Sequence, residues 1–369
     1  MSTDERICSI ALTLIPGIGR TGAKRLTEAA GSAVDVFALR KELSQRISGV
    51  NATLLKALDA PEAFVRAERE LEFAQNNHIE VLPFTDRRYP ARLRDCVDAP
   101  VVLFFKGNTD LNRRRVISMV GTRKASEQGK QFCVDFLHDL QALLPDVLVV
   151  SGLAYGIDIY SHRAALTNRL STVAVLAHGL DRIYPAVHRK YAVEMLAEGG
   201  LLTEYLTGTE PERYNFVGRN RIVAGMSDAT IVIESAAKGG SLITADLAND
   251  YHRECFAVPG RPGDLYAQGC NNLIRTNRAV LLQSAEEFVA CMGWGTAATH
   301  QPPVQQQLFP ELPPEEEKIA LLLREQGAMH IDVLAREADL PVYRISALLF
   351  ELEMKGMVQT LPGGMYRSS

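Results

Sequence analysis

Two hydrophobic periods divide the chain. From Ser2 to about Asn77 the spacing is helical: Ile7, Ile10, Ala11 and Leu14 share one face, behind a capping-box pair, Ser2 and Glu5. From Arg115 onward the apolar residues come in short unbroken runs: VISMV, DVLVV, TVAVLA, LLTEY, ATIVIE, CFAV and AVLL, each separated by a turn or a helical pattern such as Ser126–Leu144 and Ile157–Thr167. Continuous apolar strands alternating with helices predict a parallel sheet covered on both faces, in a doubly wound, Rossmann-like α/β fold. Ile79–Gly107, with two short strand-like runs and a YPxxL turn, leads into it.

Gly293–Pro314 is rich in Pro, Gln and Thr and has no period, which reads as a linker. Three more helical patterns and a hairpin, VQTLPGGMYRS, then give a winged helix-turn-helix. The expected domains are 1–78 (small, helical, helix–hairpin–helix or SAM-like), 79–292 (Rossmann-like), the linker 293–314, and the winged helix 315–369.

Composition changes this picture little. Apolar content of 47% and charged content of 23% are ordinary for a globular protein. A formal net charge of −4 means that any nucleic-acid surface must be a local patch on an acidic background. Six scattered cysteines lack CxxC or zinc-type spacing and read as reduced thiols, so no metal and no cofactor are expected. No apolar run approaches the ~20 residues of a membrane span, and the N-terminus lacks a signal-peptide pattern. A cytoplasmic protein is expected.

Candidate chemistry gathers in Asn215–Ala245. Asn215, Phe216, Arg219, Asn220 and Arg221 put a ring beside two guanidinium groups and two amides, on what reads as a short turn. ATIVIE reads as a buried strand, and Lys238-Gly239-Gly240-Ser241 opens a helix with Ser241 in the N-cap position. A strand, a glycine turn and a helix N-terminus suit an anion, because unpaired backbone N–H groups point outward. Beside an Arg/Asn/Phe cluster, that anion is a phosphate carrying a base. Gly121 and Gly152 also follow strands, and in open parallel sheets ligands bind beyond the strands' carboxyl ends. The three turns are therefore expected to converge.

Near the N-terminus, LIPGIGRTGAKRL matches GxGxxG without a preceding strand, so it is no dinucleotide fingerprint. Two readings stand: a helix–hairpin–helix whose Arg20, Lys24 and Arg25 reach one phosphate, or a helical domain using the glycines only to turn. For Arg221, DNA contact and an internal ion pair with Glu234 or Asp228 stand level; for Arg219, contact is favoured.

Several segments together resemble the DNA-processing protein A family (DprA, also called Smf), bacterial proteins that bind single-stranded DNA and load a RecA-type recombinase. These are GTRKASEQG, SGLAYGIDIYSH, GLDRIYPAVHRKYA, RNRIVAGMSDATIVIE with SLITA, Pro259-Gly260 and GCNNLI. The sequence departs from the pattern at Ser161, Tyr155, Gly240 and Asn277-Arg278. The resemblance runs from about Ile79 to Phe288. It implies Gly121 and Arg123 on a phosphate, with Ser151, Gly152, Gly240 and Ser241 in the phosphate-binding turns. It further implies Phe216 stacked on a base, Asn215, Arg219, Arg221 and Asn271 beside the strand, and Arg189 or Lys190 along a groove. It also implies natural transformation, competence and DNA recombination as the setting, and a homodimer through about Val280–Phe288, residues that equally suit an ordinary buried strand.

The competing reading is a nucleotide-processing enzyme of the lysine-decarboxylase-like phosphoribohydrolase type. That family carries a glutamate on the helix after its glycine turn; SLITADLANDYHRE lacks it at the corresponding position. Asp158 and His162 could suggest an acid/base pair, yet more readily brace a helix N-terminus. With no nucleophile–base pair or Walker motif, a binding protein is expected rather than an enzyme. An adaptor with a vestigial pocket is the third reading. The winged helix has a neutral second helix, Arg344 and Lys355 against Glu351 and Glu353, so protein contact suits it at least as well as duplex reading.

Overall fold

The computed structural model describes residues 3–40, 42–43, 52–295 and 312–368. Ser2, half of the expected capping box, and residues 296–311, most of the expected linker, lie outside them. The chain divides into two compact units, residues 1–283 and 284–369.

The first unit opens with helices α1 (Thr3–Leu14), α2 (Arg20–Ala30), α3 (Ala33–Ala38), α4 (Ala52–Ala57) and α5 (Pro61–Asn76). There follow β1 (Glu80–Pro83), α6 (Ala91–Arg94), β2 (Val102–Gly107), β3 (Val116–Val120), α7 (Glu127–Leu143), β4 (Leu148–Ser151), α8 (Ile157–Thr167) and β5 (Ser171–Val175). Then come α9 (Arg189–Glu194), β6 (Gly200–Thr203), α10 (Arg213–Gly225), β7 (Ala229–Val232), α11 (Gly240–Asp250), β8 (Glu254–Ala257), α12 (Gln268–Arg275) and β9 (Val280–Leu281).

Among the described residues these strands form one sheet in the order β1-β2-β6-β5-β4-β3-β7-β8-β9. β6 to β9 run parallel through the middle, while β1–β2 and β2–β6 are antiparallel. The expected doubly wound α/β sheet is present. Its central strands are buried along their whole length, as runs such as VISMV require. From β3 the chain steps outward through β4, β5 and β6, then returns to lay β7 on the other side of β3. The direction of winding therefore reverses between β3 and β7, which places a crevice at their carboxyl ends.

The N-terminal helices do not close a core of their own. Ile10, Leu12, Leu26 and Leu71 pack in one apolar cluster with Val81, Val102 and Phe104 of β1 and β2. Glu5 is buried and accepts from the Ala33 and Val34 N–H groups at 3.0 Å, at the start of α3. Tyr89 of the YPxxL turn is also fully buried, donating its hydroxyl to the Pro100 carbonyl at 2.7 Å.

The second unit holds α13 (Ala285–Cys291), α14 (Pro314–Gln326), β10 (Met329–His330), α15 (Ile331–Ala338), α16 (Val342–Met354), β11 (Val358–Leu361) and β12 (Met365–Ser368). Three helices and a β10-β12-β11 sheet make the expected winged helix, around Ile319, Leu334, Ile345, Leu349 and Leu352. No described helix is long and apolar enough to cross a membrane.

Replacing Tyr89 by Phe strands the buried Pro100 carbonyl, a loss of about 1–3 kcal/mol. In urea unfolding, the midpoint of the Tyr89→Phe variant is expected to fall while the slope stays the same.

Candidate nucleic-acid interface

Three loops meet at the crevice. β3 ends in Gly121-Thr122-Arg123, β4 in Ser151-Gly152-Leu153, and β7 in Ile233-Glu234-Ser235, leading to Gly239-Gly240. β4, β3 and β7 are neighbours, so the three glycine turns do converge. The loops are stitched together by backbone: Thr122 N–H donates to the Glu234 carbonyl at 2.7 Å, and Ile157 N–H to the Thr122 carbonyl at 3.1 Å. Ser126 caps α7, and both its N–H and its hydroxyl donate to the Glu234 carboxylate.

Over these loops lies α10. The stretch expected to be a turn is a helix running from Arg213 to Gly225, because Ile222, Val223 and Ala224 bury one flank against the sheet. Phe216 projects from its first turns, half-buried. Arg123, exposed, lies over the Phe216 ring with its guanidinium carbon 4.9 Å from the centroid, and the Tyr184 ring is tilted beside it, 6.0 Å between centroids. Among the described residues Arg123 enters no salt bridge, whereas Arg182 nearby is paired with Asp181 and Glu210. A cation stacked on an aromatic face and left free to meet an anion is the central feature of this surface.

Several residues expected to face a ligand turn inward instead. Arg219 is 3% exposed, its guanidinium 3.9 Å from the Asp158 carboxylate. It lies flat against Gly152, where any Cβ would overlap it, so glycine here makes room for an arginine. Arg221, 4% exposed, pairs with Glu204 and Asp98, neither of them the partner expected. Asp228 binds Arg92 at 2.5 Å. The Ser151 hydroxyl is fully buried and donates to Met119 O at 2.6 Å. Ser241 is not the N-cap of α11: Gly239 is, and the Ser241 hydroxyl donates to Ser235 Oγ at 2.9 Å. The Asn271 amide is occupied at both ends by the backbone of Gly260. Asn215 donates its amide to Glu210 O. In α2, Lys24 is buried and donates to the Arg94 and Cys96 carbonyls, and Arg20 pairs with Glu204 at 3.2 Å, so only Arg25 of that trio stands exposed.

Gly240, Arg189 and Lys190 keep open positions, whereas Gly121 is packed against Ile157, where a Cβ would stand 2.5 Å from its side chain. Lys190 sits 3.8 Å from Glu194, while Arg189 has no such partner among the described residues. Sequence reasoning missed Tyr184, 44% exposed beside Phe216, and Tyr214, exposed on α10. Their signal was there in IYPAVH and RYNF, aromatic residues without an apolar period around them. Beyond Ser126 a pocket of about 390 Å³ is lined by Glu234 and Asp264 with Phe132, Leu265 and Tyr266; its acidic wall repels phosphate.

Asp158 and His162 lie beneath this surface, both buried. Burial pushes the Asp158 carboxyl up, opposed by Arg219 and by the Ala154 and Gly152 N–H groups. The Thr172 hydroxyl donates to Val149 O, so His162 Nδ1 must carry the proton it shares with Thr172 Oγ1 at 2.7 Å. Burial first, then the Arg219 guanidinium and the nearby His188 ring, push the His162 pKa down to about 3, so its ring is neutral at ordinary pH.

The chain resembles known proteins along its whole length. The model of the DNA recombination-mediator protein A family matches residues 80–293, and that of the DprA winged helix domain residues 301–364. The chain belongs to the DNA recombination-mediator protein A family. It is 30% identical to protein Smf of Synechocystis, over 100% of both chains, and 34% identical to protein Smf of Escherichia coli, over 79% of this chain and 78% of that one. The X-ray structure of DprA from Streptococcus pneumoniae superposes with a TM-score of 0.61 at 29% identity, over 78% of this chain and 98% of that chain. A DprA structure from Helicobacter pylori, described for its single-stranded DNA binding mode, gives 0.52 at 28% identity, over 57% and 94%. The family expected from the motifs is thus the family found.

The winged helix that the DprA winged helix model matches carries α16. Its two cations are already used, Arg344 by Glu315 and Lys355 by Glu316, while Tyr343, Phe350 and Met354 stand exposed.

His162 gives a pH prediction. Its depressed pKa means that the unfolded chain takes up a proton below about 6.5 that the folded chain refuses. Stability is therefore full above about 6.5 and falls as pH drops toward 3, by about 1.4 kcal/mol per unit on the steep part. A His162→Gln variant should show a shallower loss between pH 6.5 and 5, in unfolding midpoints measured across that range.

Proposed function

We propose that this protein binds single-stranded DNA at the β3–β7 crevice without chemistry, and passes the strand to a RecA-type recombinase. One observation carries the binding reading: Arg123, in no salt bridge among the described residues and stacked on Phe216, at the carboxyl end of a parallel sheet where the winding reverses. An aromatic face accepts any base and a free guanidinium accepts any phosphate, so this pairing suits a strand of arbitrary sequence. Arg189 and Gly240 extend the track, with Lys190 held more loosely by Glu194. The single-stranded DNA binding mode described for the Helicobacter pylori relative supports the same ligand.

An enzymatic reading has little footing. Asp158 and His162 are too deeply buried to reach a substrate. Burial also pushes the Cys133, Cys255 and Cys270 thiols up to about 12, far from a usable thiolate. The recombinase step and the setting in transformation rest on the family alone.

A homodimer through the end of the sheet is part of this reading. Val280 and Leu281 of β9 are 45% and 43% exposed on the sheet's edge strand, rather than buried as in an ordinary core strand. Phe288 is buried within the second unit and so is left out of that surface. The apolar exposed face of α16 favours a protein contact over duplex reading for the winged helix.

Titration of labelled oligo-dT against a duplex of equal length, across a salt series, tests the proposal. Phe216→Ala should weaken single-strand binding roughly 5- to 150-fold, the ~1–3 kcal/mol of one stacked base. Arg123→Ala should also lower the slope of log affinity against log salt by about 0.7, one phosphate contact on a single strand. Unchanged affinity in both variants would leave the crevice without its ligand.

A further inference from the structure

Arg20 carries the charge that the GIGR turn offers, yet the structure puts it to another use. Its Nη2 lies 3.2 Å from Glu204 Oε1 and donates to the Tyr205 hydroxyl at 3.3 Å. That hydroxyl in turn donates to the Asn215 carbonyl at 3.1 Å, within the first turn of α10. The Arg20 guanidinium also sits 6.0 Å from the Tyr214 ring centroid. It packs on the helix backbone at Gly218, where a Cβ would stand 2.9 Å from Nη2 and 3.0 Å from the Tyr205 hydroxyl. Glu204 binds Arg221 of α10 as well, so one carboxylate joins a guanidinium from α2 to one from α10.

We propose that Arg20 is a positioning residue: through Glu204 and Tyr205, α2 fixes the first turns of α10 and so the stance of the Phe216 ring. This side chain reaches Tyr214 and Gly218 directly and Asn215 through the Tyr205 hydroxyl, three residues that bracket Phe216. Arg20 and Arg221 share Glu204, with Asp98 also facing Arg221, so the charge of Arg20 lies against a carboxylate, whereas Arg123 enters no salt bridge among the described residues. Burial pushes the Tyr205 hydroxyl up to about 12, so it keeps its proton and can relay from Arg20 to Asn215 at any ordinary pH. The N-terminal helices then act on DNA without touching it.

This inference rests on Phe216 being a base platform, and the test separates the two. Oligo-dT affinity is measured across salt for Arg20→Ala, Phe216→Ala and the double variant, with Tyr205→Phe as a milder probe that changes no charge. Expected are a loss of about fivefold or more for Arg20→Ala with the salt slope unchanged, and under twofold further loss when Phe216 is already Ala. Tyr205→Phe should show a smaller loss with the same non-additivity, which keeps the test usable should Arg20→Ala unfold. Additive losses with a slope lowered by about 0.7 would make Arg20 a phosphate contact and overturn the proposal. Unaltered affinity in both the Arg20 and Tyr205 variants would overturn it too. If Phe216→Ala alone changes nothing, the platform reading fails first and the positioning role falls with it.

Discussion

A parallel sheet that reverses its winding must leave a gap where the loops part, and everything functional here follows from that constraint. β3 is the starting strand of both directions, so the loops after β3, β4 and β7 are forced together at one end. Helix N-termini gather at the same end, because each crossover returns a helix to the sheet starting from its carboxyl edge. The chain is acidic as a whole, yet this one edge carries the exposed cations Arg123, Lys124 and Lys238. Local geometry, not net charge, would create the proposed anion site.

The buried arginines serve this edge from below. Removing a guanidinium from water is expensive unless it is matched, and both Arg219 and Arg221 are matched, by Asp158 and by Glu204. Arg219 fills the space that Gly152 leaves free, so loop and helix are keyed to each other by a charge rather than by an apolar contact. A pair of this kind fixes register well, since a small displacement would leave a buried charge alone. Phe216 stands three residues before Arg219 on α10, nearly one helical turn, so anchoring one positions the other.

What the sequence made legible was whatever burial writes as a period. The strands and the winged-helix hairpin were readable because an apolar run of five in a covered sheet has few other interpretations. The glycine turns were legible as a set for the same reason, each directly following such a run. Side-chain direction was not. A guanidinium facing DNA and one facing Glu204 have the same spelling, and the partner of Arg221 lies seventeen positions away across a strand end. Lys24, Ser151 and Asn271 failed likewise: each satisfies a backbone carbonyl or N–H that the sequence does not show to be in need. α10 reads as a turn because its N-terminal half is polar and aromatic, and only Ile222–Ala224 carry the buried flank.

The inventory of cations at the crevice bears on how tightly one copy can hold a strand. Arg182 is tied to carboxylates, Lys190 is partly so, and Arg219 and Arg221 are withdrawn, which leaves Arg123, Lys124, Arg189 and Lys238 exposed along this edge. So few phosphate contacts make a shallow electrostatic grip. Stacking supplements it but adds only a few kilocalories per mole for a ring or two. On the proposed reading, a single crevice is therefore a modest binder by construction. Two crevices on one flexible strand would gain through effective concentration what neither supplies alone. On the proposed dimer, the exposed edge at Val280 and Leu281 would be the surface that brings the two crevices together. On the proposed reading, with Arg219 and Arg221 withdrawn from the crevice, pairing copies along a strand would supply the firm binding that one crevice's charges do not provide.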